Sequence, residues 1–336
     1  MLVDGGIGSD LARAAEGARL QEELGFDGLW AAETNHDPFL ALTLAAEHTE
    51  RIELGTGIAV AFARSPMTLA QTAYNLNAFA EGRLLLGLGS QIKAHITRRF
   101  SMPWSHPAAR MREFVLAMQA IWDSWEQGTR LDFRGDFYEH TLMTPFFNPG
   151  ANEFGAPRVF LAAVGELMTK VAGEVCNGML CHGFTTESYL REVTMRALGE
   201  GFEAGGRTRA DIQLSLPAFI VTGTNEDEMA AAAKGVREQI AFYGSTPAYR
   251  GVLEHHGWGE MQTELNALSK QGKWVEMGLL IDDEVLDAFA VVAEPDQVGP
   301  ALLARFGDLV DRVSFYAPYK AAPDAFAPAI EALRRA

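Results

Sequence analysis

Residues 33–38 read Glu-Thr-Asn-His-Asp-Pro, so two carboxylates and an imidazole stand within one short polar stretch. Such a set handles protons, because an imidazole exchanges one near neutral pH and a carboxylate takes one up or orients the ring. His36 is the first candidate and Glu33 the second. The structural alternative has Asp37 capping a helix that Pro38 opens, with Glu33 and His36 paired to neighbours. Further on, Gly87-Leu88-Gly89-Ser90-Gln91 leads into Lys93, His95, Arg98 and Arg99, a basic and hydrogen-bonding group able to hold an anion. His95 is the better ligand candidate, while Arg98 and Arg99 read as solvated or ion-paired. The spaced glycines lack the full Gly-x-Gly-x-x-Gly pattern, so no Rossmann nucleotide site is read here.

Between these groups, Gly55-Thr56-Gly57-Ile58-Ala59-Val60-Ala61-Phe62 is small and apolar. Its glycines permit a bulge against which a flat apolar ring can lie, or they simply ease packing. Gly165 and Gly183 let backbone approach a ligand closely. His182, beside Gly183, reads either as a substrate contact or as a structural histidine. His255 and His256 are adjacent, not four apart, so a helix would not aim both at one metal, and no metal site is expected. Cys176 and Cys181 form neither a useful staple nor a zinc site on their own. Trp104, Trp122, Trp125, Phe133, Phe137, Tyr138, Phe146 and Phe147 form an aromatic set that suits an apolar wall or a subunit contact, the second implying a homodimer. Trp104 is the member placed nearest a substrate.

What must position these residues is a repeated strand and helix. Short apolar runs alternate with amphipathic stretches, the pattern of βαβ units and a parallel sheet. Strands are expected at Leu2-Val3, 27–31, 52–60, 84–88, 159–163, 178–181, 212–221 and 313–316. Helices fall between them: one capped by Ser9, one from Pro38 to His48, one opened by Ser65-Pro66, and others over 108–127, 167–175, 188–203, 225–243 and 326–335. Eight such units make a single (β/α)8 TIM barrel over 1–336, with insertion segments about 129–157 and 244–287. Catalytic groups of such a barrel sit at the C-terminal ends of its strands. That is where each candidate loop above begins.

The formal charge of −16 disfavours nucleic acid and anionic membrane as partners. No apolar run reaches the roughly 18 residues of a spanning helix, and no basic leader precedes an apolar core. A cytoplasmic protein acting on a small-molecule substrate is expected.

The chain resembles the bacterial luciferase-like superfamily, and within it the deazaflavin-dependent (coenzyme F420) oxidoreductases. The resemblance is carried by Val3-Asp4-Gly5-Gly6, by 26–33 with His36-Asp37-Pro38-Phe39-Leu40, by 54–58 continuing to Arg64-Ser65-Pro66, by 82–90, by 161–165, and by 283–286 with 289–291. It implies a barrel whose third strand carries a bulge with a non-prolyl cis peptide, near Gly57-Ile58, backing the deazaflavin ring. It further implies cofactor contacts at Thr34, Thr56, Gly57, Ile58, Ser90, Gln91 and His95, with Ala163, Val164 and Gly165 toward the phosphate. Sugar-phosphate dehydrogenases of the family carry a histidine and a glutamate where this chain has Thr34-Asn35 and Gln91-Ile92, so that substrate is not implied.

The expected activity is hydride transfer between the deazaflavin C5 and a small organic substrate, with His36 or Glu33 handling protons and Trp104 and His182 touching substrate. The alternatives are an FMN-dependent luciferase-like monooxygenase, a metal-dependent barrel hydrolase, and a catalytically silent cofactor-binding paralogue.

Overall fold

The structure, a computed structural model, describes residues 1–8, 10–321 and 325–335. Runs such as Leu84-Leu85-Leu86 and Val159-Phe160-Leu161 are apolar on both faces, which suits strands buried between a barrel interior and a helical layer. Eight strands pair in parallel: β1 (Leu2–Ile7), β2 (Gly28–Ala31), β3 (Glu53–Thr56), β4 (Leu84–Gly89), β5 (Arg158–Ala163), β6 (Gly178–Cys181), β7 (Gln213–Val221) and β8 (Arg312–Tyr316). Each pairs with the next, and β8 closes on β1 with Val313 opposite Val3. The architecture is the (β/α)8 barrel expected from the alternation.

The helix starts follow capping chemistry. Asp37 accepts a hydrogen bond from Phe39 N–H at 2.9 Å and Pro38 opens α2 (Pro38–His48). Ser65 does the same for α3 (Pro66–Phe79) through Thr68 N–H at 3.1 Å. The first helix, α1 (Leu11–Glu23), is capped by Asp10 through Ala12 N–H. Ser9, the expected cap, lies outside the described residues. The long helix α4 (Pro107–Gln127) and α5 (Glu166–Val175) complete the layer beside β4 and β5.

Three segments depart from the regular pattern. The third strand, expected unbroken over 52–60, stops at Thr56; a cis peptide joins Gly57 to Ile58, and Ala59–Val60 then pair with Leu88 and Gly89 of β4. After β4, His95–Arg99 form one π-helical turn. The segment beyond 244 folds as short helices, Arg250–His255, Gly259–Lys270, Trp274–Leu279 and Asp283–Phe289, followed by Ala290–Val292 lying parallel to the end of β7. These helices bury a second apolar cluster, including Phe184, Phe219, Ile240, Leu253 and Phe289, over the β6 and β7 side of the barrel.

Inside the barrel Arg312 is wholly buried and grips Asp4 with two hydrogen bonds of 2.7 and 2.8 Å. It also bonds Glu53, which Arg158 holds from the other side, and the Trp30 indole N–H donates to Asp4 at 2.9 Å. Charges from β1, β3, β5 and β8 thus satisfy one another where the barrel closes. No helix among the described residues is long and apolar enough to cross a membrane.

Candidate active site

The strand ends converge on a cavity of about 970 Å³, within the range of small-molecule and cofactor sites. Its lining includes Gly57 and Ile58 of the bulge, and Ala162, Ala163 and Val164 at the end of β5. Thr34 lies at the rim. Beyond Val164 a second hollow of about 690 Å³ opens, bordered by Gly165, Glu166 and the start of α4 at His106-Pro107. Thr34, Gly57, Ile58, Ala163, Val164 and Gly165 therefore meet along one continuous surface.

Other expected contacts lie behind or beside it. Thr56 is buried, and its hydroxyl donates to the Gly87 carbonyl at 2.7 Å, tying β3 to β4 behind the bulge. Ser90 donates to the Gln91 carbonyl, and the Gln91 side chain accepts from Ile92 N–H. His95 is exposed on the π turn. Neither those three nor Trp104 lines the cavity; Trp104 packs edge-on against Phe62, ring centres 5.8 Å apart. Arg99 reaches from the same loop to the Thr34 carbonyl, so the loops after β2 and β4 are joined.

The two proton-handling candidates sit differently. Glu33 accepts from Val60 N–H at 2.7 Å and from Arg64 at 2.6 Å, and Arg64 also bonds Asp37 at 2.8 Å. One guanidinium thus holds both carboxylates of the loop after β2, and the Glu33 carboxylate fastens the segment just past the bulge. His36 is exposed near that loop's tip, outside the cavity lining.

His182 lines the cavity from the end of β6. Its Nδ1 accepts from Phe184 N–H at 3.0 Å, which leaves the proton on Nε2, 3.1 Å from the Tyr249 hydroxyl. Tyr249 stacks on the ring and Tyr243 meets it edge-on. Burial pushes this imidazole down to about 4, so the ring is neutral at physiological pH.

Six aromatic groups of the cavity were not read from the sequence as site residues, Phe26, Phe315 and Phe326 among them. Trp30 faces it from β2 and needs Gly55 beside it, where an added methyl would fall 2.2 Å from its ring. Tyr316 ends β8, and Tyr243 comes from the helix Glu226–Gly244; their hydroxyls are 2.6 Å apart. The strand-end rule applied to Tyr316 would have found that one. No sequence signal marks Tyr243. Among the remaining aromatics, Trp122 and Trp125 are buried, while Phe146 and Phe147 are 89% and 66% exposed.

Among the described residues no group of three histidine, cysteine or acidic side chains is gathered as a metal site would require. Residues 2–312 match the family model described as luciferase-like monooxygenase. An uncharacterised protein of Mycobacterium tuberculosis is 55% identical over 311 residues, covering 93% of this chain and 92% of that protein. The 5,10-methylenetetrahydromethanopterin reductase of Methanolobus tindarius is 26% identical over 303 residues, covering 89% and 87%. In fold the chain is similar to the coenzyme F420-dependent tetrahydromethanopterin reductase of Methanopyrus kandleri, with a TM-score of 0.77 at 21% identity over 98% of this chain and 97% of that one.

Proposed function

Because the chain belongs to the luciferase-like monooxygenase family, we propose that it is an oxidoreductase whose barrel mouth holds the deazaflavin coenzyme F420 and uses it on a small organic substrate. The observation that carries this reading is the large cavity at the strand ends, lined by Gly57 and Ile58 of the bulge and by Ala163 and Val164 after β5, with a hollow leading off at Gly165. A planar tricycle fits in such a cavity, and its chain has somewhere to go. The reductase name of the Methanolobus tindarius relative agrees with this class.

Thr34, Gly57, Ile58, Ala163, Val164 and Gly165 would hold the cofactor directly, with Thr56, Ser90 and Gln91 shaping the wall behind it. His95, exposed on the π turn after β4, would reach the cofactor from that loop. The cofactor supplies the hydride acceptor or donor. The protein orients substrate against it, keeps water out and moves protons. Glu33 acts through Arg64 and Val60 to fix the bulge, and His36 exchanges protons with solvent at the rim.

Absorbance of the deazaflavin, followed with the purified protein across alcohol donors and carbonyl acceptors, tests the activity. Bleaching or recovery that depends on the protein supports it, and tight binding without turnover across the panel would reduce the chain to a silent paralogue. The same cavity suits FMN, so the family's monooxygenase chemistry is the second reading; oxygen consumption with reduced FMN would favour it.

A further inference from the structure

The Tyr243 and Tyr316 hydroxyls each carry one proton, and a single hydrogen bond of 2.6 Å joins them. That bond uses one proton. The other has no acceptor among the described residues, and both phenols border the 970 Å³ cavity. The pair therefore has one hydroxyl proton left to donate to whatever fills the cavity, with the neighbouring hydroxyl able to share the charge left when that proton moves. Their placement is enforced: Tyr316 stacks on Phe219 with ring centres 4.7 Å apart, and Gly183 leaves room for its edge, since an added methyl there would lie 3.0 Å from the Tyr316 ring.

The rest of the lining narrows what can bind. It contains no lysine or arginine, its one carboxylate, Asp4, is held by Arg312, and His182 is uncharged. An anionic substrate such as a phosphate ester or carboxylate would find no cation there, and burying an unpaired charge is costly. The lining also holds Ser215 and Ser314, whose hydroxyls can donate to or accept from a bound oxygen.

Resting on the oxidoreductase reading above, we propose that the substrate is an uncharged ketone or aldehyde, or the corresponding alcohol, whose oxygen is bound by the Tyr243–Tyr316 pair. In the reducing direction the reduced cofactor would supply a hydride, and with it two electrons, to the carbonyl carbon; the C=O π pair goes to oxygen, oxygen takes the free tyrosine proton, and the pair regains its proton from solvent. The oxidising direction runs these transfers backwards. Burial and the adjoining Tyr243 hydroxyl raise the pKa of Tyr316 above the ordinary phenol value, so this group keeps its proton at neutral pH.

Infrared spectra of carbon-13-labelled cyclohexanone and acetophenone, taken with the wild-type protein with and without the oxidised deazaflavin, read this contact without turnover. A carbonyl band lowered in frequency by the protein is expected. It should be lowered less in Tyr243→Phe and in Tyr316→Phe, where one hydroxyl survives, and should return to the unbound position in the double variant. Whichever ketone is reduced should lose several-fold in kcat in each single variant and about 10²-fold or more in the double variant, with coenzyme affinity and melting temperature unchanged. A band equally lowered in the double variant, or no bound band for either ketone at saturation, overturns the proposal. If the tyrosine-dependent band is seen while the deazaflavin does not bind, the oxygen-binding site stands and the deazaflavin reading falls; deazaflavin binding without that band does the reverse.

Discussion

Glu33 and Arg64 lie 2.6 Å apart and bind the loop after β2 to the segment that follows the Gly57-Ile58 bulge. Both side chains are largely buried, so the pair acts in a less screened setting than a surface ion pair.

Removing that clamp gives the first prediction. Glu33→Ala leaves Arg64 with Asp37 and the Val60 carbonyl, and Val60 N–H without its acceptor, at a cost of about 1–3 kcal/mol. Melting temperature and cofactor affinity should fall together, with kcat changed less. A loss confined to kcat, with binding intact, would instead make Glu33 the proton carrier.

Gly55→Ala places a methyl 2.2 Å from the Trp30 ring, which packs on Phe160 and donates to Asp4. The ring must move or the strand must shift, for a loss of about 1–3 kcal/mol. Chemical denaturation gives the stability, and a changed tryptophan emission maximum reports the displaced indole. Unaltered emission and stability would show that the wall has slack.

Arg312→Met strands the buried Asp4 and half of the bonding of Glu53, and should cost about 3–5 kcal/mol. Burial alone would raise the Glu53 carboxyl, but the Arg312 and Arg158 guanidiniums outweigh it and hold the group below its ordinary value. A carboxylate depressed on folding contributes stability above its unfolded value and loses it as pH falls through the folded one. Wild-type stability should therefore decline on acidification below the usual carboxylate range, and the variant should lose part of that slope. Parallel denaturation curves at each pH would contradict the assignment.

His182 makes the opposite test of a base. Burial holds its folded value at about 4, below the ordinary histidine value, so the unfolded chain takes up its proton first as pH falls. The stability tied to the neutral ring is full above about 6.5 and is lost down to about 4, for about 3 kcal/mol in all. His182→Gln should remove that share of the acid sensitivity, measured by denaturation at neutral pH and near pH 5. An unchanged pH dependence would mean the ring is more solvated than its packing implies.

Much of this was legible beforehand. Apolar runs from Leu84 and Val159 and the caps at Asp37 and Ser65 reveal strands and helix starts because their chemistry is local. The family resemblance located the bulge at Gly57-Ile58. Local sequence cannot show the Tyr243–Tyr316 hydrogen bond, which joins residues 73 apart. Nor can it show that Arg64 would occupy the Glu33 carboxylate, or that Tyr249 from the insertion would cover His182. Those facts depend on how the barrel closes and on where the helices after 244 pack.

If the cavity takes a deazaflavin, Trp30 in its lining reports the binding. Titration of the protein with coenzyme F420 and, separately, with FMN, followed by tryptophan fluorescence, should give micromolar deazaflavin binding and much weaker FMN binding. Tighter binding of FMN would move the protein to the monooxygenase reading, and binding of neither would contradict the account.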